Sequence, residues 1–221
     1  MNPLVKNENL IIIGTGEFAK LAYAYFSQDT SFNILAFAVD SEYRSVDLYC
    51  GKPVMDIDEL EVLAGKEKFR VFVAISSQKM NTQREKVFHR IKEWQIDMAT
   101  YVSPHAFVWH DVKIGENVFI FEGNVIQSGC EIGSNSILWS GNHIGHGSKI
   151  EENVFVSSHC VISGFCKIGK NSFLGVNSTV IDGIEISPFS MIGASTLVNK
   201  NTAEFGVYVG IPARQLKRLS I

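Results

Sequence analysis

The sequence predicts a chain of two parts, an α/β Rossmann-like domain over residues 1–98 and an all-β left-handed parallel β-helix over residues 99–221. Three observations carry this. An aliphatic residue recurs at every sixth position from Val102 to Val198, seventeen in unbroken register. A mostly small side chain follows four positions after each, as at Cys130, Asn142, Ser148, Cys160 and Cys166. Before this repeat, apolar runs alternate with helical patterns, which implies a small parallel sheet.

Leu10-Ile11-Ile12-Ile13 reads as a buried strand ending at Gly14, too short for a membrane span or a signal-peptide core. Gly14-Thr15-Gly16-Glu17-Phe18-Ala19 opens a helix to about Phe26. Ile34–Val39 is a second strand and ends at Asp40; Arg70–Ile75 is a third and runs into Ser76; a helix follows from about Thr82 to Trp94. A G-x-G-x-x-A run between strand and helix, with an aspartate about 20 residues on, suits a nucleotide phosphate and ribose. The plainer reading is a glycine-rich turn that packs strand on helix. A ligand at the carboxyl ends of the strands, near Gly16, Asp40 and Ser76, is the expectation.

In the repeat, three hexads close one triangular coil, so residues 18 apart share a column, about 4.8 Å apart along the axis. The outer positions sort into three columns. Phe119, Ile137, Phe155, Phe173 and Met191 form one, Phe107, Val125, His143, Val161, Thr179 and Leu197 a second, and Lys113, Glu131, Lys149, Lys167 and Glu185 a third. The first two are apolar stripes, and stripes of that length mark interfaces. A three-fold ring of subunits buries them; cover from the chain's own other domain is the alternative.

With 20 Lys+Arg against 23 Asp+Glu the chain lacks the basic face that nucleic-acid binding needs. The four cysteines have no CxxC or zinc spacing, so no metal is expected and the cytoplasm is the simplest compartment. Cys130, Cys160 and Cys166 fall at inward positions and read as packing, and Cys50 as turn-adjacent.

A small GxG domain, a β-helix and a closing Gly210-Ile211-Pro212-Ala213-Arg214 together resemble the bacterial sugar acyltransferases. These include the nucleotide-aminosugar N-acetyltransferases and the sialic acid O-acetyltransferases. The resemblance implies acetyl-coenzyme A as co-substrate, a nucleotide-linked amino-deoxysugar as acceptor, a homotrimer, and a place in surface polysaccharide or glycan biosynthesis.

The resemblance also implies site residues. His146, in Ile144-Gly145-His146-Gly147-Ser148, corresponds to the general base; imidazole titrates near working pH and can take the amine proton. The position after the base, commonly acidic in that family, is Gly147, and Asn142 and His143 are expected to orient the ring in its stead. Gly164, one coil beyond His146, is expected to offer its amide to the thioester oxyanion. Phe155, Gly164, Val176 and Ala194 are expected along the coenzyme A groove, and Gly14, Gly16, Glu17, Phe18, Asp40, Ser41, Glu42 and Ser76 around the sugar nucleotide.

His143 is the competing base; His89, His105, His110 and His159 read as surface groups. Two rival functions stand beside aminosugar N-acetylation. One is O-acetylation of a sugar hydroxyl. The other is a nucleotide-binding structural or regulatory protein or an NAD-dependent enzyme, which the unbroken register with His146 above Gly164 argues against.

Overall fold

The structure, a computed structural model, describes residues 6–220. The described residues divide into two compact units, 6–76 with 86–100, and 77–85 with 101–220. The segment 77–85, which the sequence puts with the first domain, groups with the β-helix.

The first unit holds β1 (Glu8–Ile13), α1 (Glu17–Asp29), β2 (Phe32–Val39), β3 (Leu48–Tyr49), β4 (Lys52–Asp56), α2 (Glu59–Ala64), β5 (Arg70–Val73) and the larger part of α3 (Thr82–Glu93). The sheet order is β3-β4-β2-β1-β5, parallel except for β3 against β4. The β3–β4 hairpin and α2 are additions to the three strands and two helices that the sequence pattern predicts. Cys50 and Gly51 turn that hairpin with φ of 49° and 74°, the left-handed pair that a two-residue hairpin turn needs.

Leu10 to Ile13 are buried because both faces of the sheet are covered. On one face Phe26 meets Phe72 at 5.2 Å and Phe18 meets Phe72 at 6.1 Å. On the other, Ile11, Ile13, Val71 and Val73 pack with Leu60, Phe88 and Ile91. The strand order reverses between β1 and β5. The loops that follow these two strands, at Gly14 and at Ser76, therefore border the crevice where open α/β sheets take ligands.

The second unit is a left-handed parallel β-helix whose coils are built of two-residue parallel strands in three sheets. From Tyr101 to Val198 the pairings join residues 18 apart, as in Val125↔His143↔Val161 and Lys113↔Glu131↔Lys149. The recurring aliphatics from Ile120 to Val198 form one interior cluster with Cys130, Cys160 and Cys166. Each such side chain taken from water contributes about 1.5–3 kcal/mol. Burial pushes these three thiols up, which keeps them protonated and inert as nucleophiles. The eight-stranded sheet ends in a hairpin: Gly206–Val209 continues the parallel stack, and Arg214–Arg218 returns antiparallel beside it with all five residues exposed.

A second regular feature lies at one corner. Asn117, Asn135, Asn153 and Asn171, one per coil, take left-handed φ of 53–62° and stack as a buried ladder, amide to amide at 2.8, 2.8 and 3.4 Å. The segment 77–85 closes over it. Arg84, fully buried, donates to the Asn135 and Asn153 carbonyls at 3.0 and 3.2 Å and to Asn81 Oδ1 at 3.3 Å. Glu85 accepts from the Asn153 and Asn171 amides at 3.0 and 2.8 Å. Burial brings the Arg84 guanidinium down to about 9, against the opposing pull of Glu85, so it stays charged at neutral pH.

The outer columns depart from expectation in one respect. Phe119, Ile137 and Phe155 are buried within the single chain, so this column is not the open interface stripe that its composition suggests. The second column is open, with Phe107, Val125 and Val161 at 54%, 36% and 40% exposure. The third is a solvated ladder in which Glu131 bridges Lys113 and Lys149, and Lys167 bridges Glu151 and Glu185. Pairs so exposed add little to stability, because water and salt screen them.

Candidate active site

His146 stands on the β-helix corner that follows the strand His143–Ile144, and its side chain is exposed. Column arithmetic sets Gly164 one coil on, and the glycine is what the ring rests on. A Cβ on Gly164 would lie 2.6 Å from Cε1 and 2.9 Å from Nε2 of the imidazole. On the other side, Gln127 Oε1 accepts the His146 backbone N–H at 2.9 Å and lies 3.3 Å from Nδ1. A proton on Nδ1 then points at Gln127 and leaves the Nε2 lone pair free to receive another. Gln127 is the orienting group that the sequence reading missed, and the same arithmetic could have found it, since it lies one coil and one residue before His146.

Three of the expected partners are placed otherwise. Asn142 is buried, its Nδ2 donating to Trp139 O at 2.5 Å and its Oδ1 accepting from Cys160 N at 2.8 Å. Both ends serve the corner, so it does not orient His146. His143 lies on the flat face between Val125 and Val161, with no hydrogen bond to its ring among the described residues. The Gly164 amide, expected to face an oxyanion, donates to Asp182 Oδ1 at 2.9 Å. Gly164 thus makes room for the imidazole, and its amide is engaged by a carboxylate one coil further on.

A further aromatic group borders His146. Phe165 has φ of 55°, a left-handed conformation that costs a non-glycine residue about 1–2 kcal/mol. Its ring meets that of His146 edge-on at 4.8 Å and covers Gly147, whose Cβ, if present, would lie 2.7 Å from Phe165 Cδ1. A side chain at position 147 and the ring of Phe165 therefore exclude one another.

Of the positions assigned to coenzyme A, Val176 and Ala194 are exposed and one coil apart on a neighbouring corner, which leaves a smooth track for an extended chain. Phe155 is not on it: it is 7% exposed and stacks on Phe173 at 5.3 Å, inside the aromatic column. Among the described residues no cluster of His, Cys, Asp or Glu is arranged to hold a metal ion. None of their helices is long and apolar enough to cross a membrane.

In the first unit Gly14 and Gly16 differ. Gly14 has φ of 118° and lies so close to Ala74 that a Cβ would meet its carbonyl oxygen at 2.9 Å, so the fold itself requires glycine there. Gly16, the residue before α1, has φ of −89° and nothing within 4 Å of a Cβ; neither backbone nor packing demands it. Its bareness keeps the helix N-terminus open to a ligand. Glu17, Ser41, Glu42 and Ser76 are exposed around the strand ends. Phe18 is a correction: at 7% exposure, edge-on to Phe72, it belongs to the core and not to the ligand surface. Asp40 is partly spoken for, since Arg90 holds its Oδ1 at 2.6 Å and also pairs with Asp58. Ser41 donates to Asp56, and that bond holds the Asp56 carboxyl below its ordinary range.

A Rossmann-like unit and a hexapeptide-repeat β-helix with a histidine exposed on its corner make up the chain. Comparison with known proteins finds the same fold elsewhere. Residues 9–91 match the family described as the PglD N-terminal domain, and residues 96–205 the GMPPB C-terminal domain. In fold, the chain is similar to a variant of perosamine N-acetyltransferase from Caulobacter crescentus in complex with CoA and GDP-perosamine. The TM-score is 0.85 at 24% identity, over 95% of this chain and 97% of that one. It is similar also to the acetyltransferase domain of PglB from Neisseria gonorrhoeae in complex with acetyl coenzyme A, with a TM-score of 0.82 at 20% identity over 95% and 100%. WeeI from Acinetobacter baumannii gives 0.79 at 20% identity over the same shares.

Proposed function

We propose that this chain is an acetyl-coenzyme A-dependent N-acetyltransferase acting on the amino group of a nucleotide-linked amino-deoxysugar, as a cytoplasmic homotrimer serving surface polysaccharide or glycan assembly. The observation that carries the reading is the His146 imidazole, laid on Gly164 and backed by Gln127 with Nε2 open. The relatives described with CoA, acetyl coenzyme A and GDP-perosamine support it.

The first unit, through Gly16, Glu17, Glu42 and Ser76, binds the sugar nucleotide; the carboxylates suit ribose or sugar hydroxyls. Acetyl-coenzyme A lies along Val176 and Ala194 and supplies the thioester. His146 Nε2 takes the proton from the amine as its nitrogen attacks the thioester carbon, the C–S bond breaks, and the proton passes to the departing thiolate. No covalent enzyme intermediate is needed, and the buried cysteines offer none.

Incubation of the purified protein with acetyl-coenzyme A and a panel of amino-deoxysugar nucleotides, with thiol release and product mass as readouts, tests this. Turnover giving an alkali-stable amide is expected. An alkali-labile ester makes it an O-acetyltransferase, and no turnover of any acceptor overturns the reading.

Two expectations accompany it. Asp182→Ala frees the Gly164 amide for the oxyanion; one hydrogen bond is a net 0.5–1.5 kcal/mol, so kcat is expected to rise about two- to tenfold. An unchanged or lower kcat in steady-state assays removes Gly164 from the oxyanion role. The open column at Phe107, Val125 and Val161 is expected to be buried between subunits, and light scattering is expected to return three times the chain mass.

A further inference from the structure

Most left-handed corner positions in this β-helix are glycine or asparagine; the others are His159, Phe165, Phe189, Ser195 and Phe205. On the corner that carries His146 the left-handed positions read Gly129, Gly147, Phe165 and Gly183, so one phenylalanine interrupts a glycine column. Phe189 and Phe205, also left-handed, stack on each other at 5.0 Å and shelter one another. Phe165 has no such reason to be there. It is 68% exposed, and its aromatic neighbour is the ring of His146. A bulky residue held in a disfavoured backbone conformation, exposed to water and pressed on a reactive side chain is the pattern of strain retained for function.

We infer that Phe165 is a positioning residue for His146. This rests on the reading of His146 as the base. The imidazole is fixed on three sides: Gly164 beneath, Gln127 at Nδ1, and the edge of Phe165. Without Phe165 the side toward Gly147 is open, because neither Gly147 nor Gly129 carries a side chain, and the ring can turn away from Gly164. The bare Gly147 belongs to the same device, since a side chain there would occupy the space of the Phe165 ring. The pair Gly147 and Phe165 orients the base by packing where an acidic neighbour would do so by charge.

Phe165→Gly separates this role from a structural one. Glycine relieves the left-handed backbone and little buried surface is lost, so the melting temperature is expected to stay the same or rise. Turnover is expected to fall about ten- to a hundredfold in kcat, the scale of a misplaced reacting group, with KM for both substrates within twofold. Phe165→Tyr keeps the ring edge and is expected to restore the rate. In parallel, NMR of ring-labelled histidine, with His146 assigned through His146→Gln, is expected to show the His146 Cε1–H resonance shifted in Phe165→Gly as the aromatic ring current is lost, and back near its place in Phe165→Tyr. An unmoved resonance, or an unchanged kcat in an active enzyme, overturns the inference. A fall in melting temperature that accounts for the lost rate also overturns it. Should the wild-type protein acetylate nothing, the functional reading fails by itself, and the resonance still decides whether Phe165 holds the ring.

Discussion

His146→Ala is expected to lower kcat by about two to four orders of magnitude, the range that positioned general bases supply, while KM for acetyl-coenzyme A stays within a few-fold. The split follows from the site: the imidazole is exposed on its corner, and the side chains assigned to acetyl-coenzyme A, Val176 and Ala194, are on another. Gln127→Ala is expected to cost less, because Gln127 acts through the ring it orients. Steady-state kinetics with the acceptor found in the panel assay check both. If His146→Ala keeps the full rate, the base is elsewhere, and His143 on the adjoining face is the next to replace.

Arg84→Met carries the largest expected effect on stability. The substitution keeps the aliphatic length and removes the charge, leaving the Asn135 and Asn153 carbonyls and Asn81 Oδ1 without their donor and Glu85 without its buried cation. Three buried acceptors left unpaired, at about 1–3 kcal/mol each and with partial relaxation, cost about 3–5 kcal/mol together. For a chain of this size that is roughly 6–20 °C in melting temperature by calorimetry. A fall of less than about 2 °C would mean that the asparagine ladder supports itself.

Most of the fold was legible because the β-helix is periodic. One register error among the hexads would have moved every side chain to another column, and none occurred, so the position of His146 and the setting of Gly164 beneath it followed from counting. What that counting could not supply was the covering of the outer columns. Phe155 and Val161 look alike as outward apolar residues, yet one is buried and the other open. Arg84 was hidden for a related reason: its partners lie 51 and 69 residues away, and nothing local marks a helix-borne arginine as a lid on a corner. The asparagine ladder itself was on view in the sequence at intervals of 18 and went unread. In the first unit the G-x-G-x-x-A run located the loop correctly but did not divide its members. Only the surroundings show that Gly14 and Phe18 serve packing while nothing packs against Gly16.

The reversed strand Arg214–Arg218 has a consequence for how such molecules behave in a crowd. A parallel β-helix is in principle an open-ended filament, since each coil offers the next a row of backbone donors and acceptors in the same direction. Here the outermost strand of the longest sheet runs the other way and carries Arg214, Lys217 and Arg218 into water. A second copy adding a strand to this sheet would have to bury those cations, so edge-on pairing is disfavoured along this side of the prism.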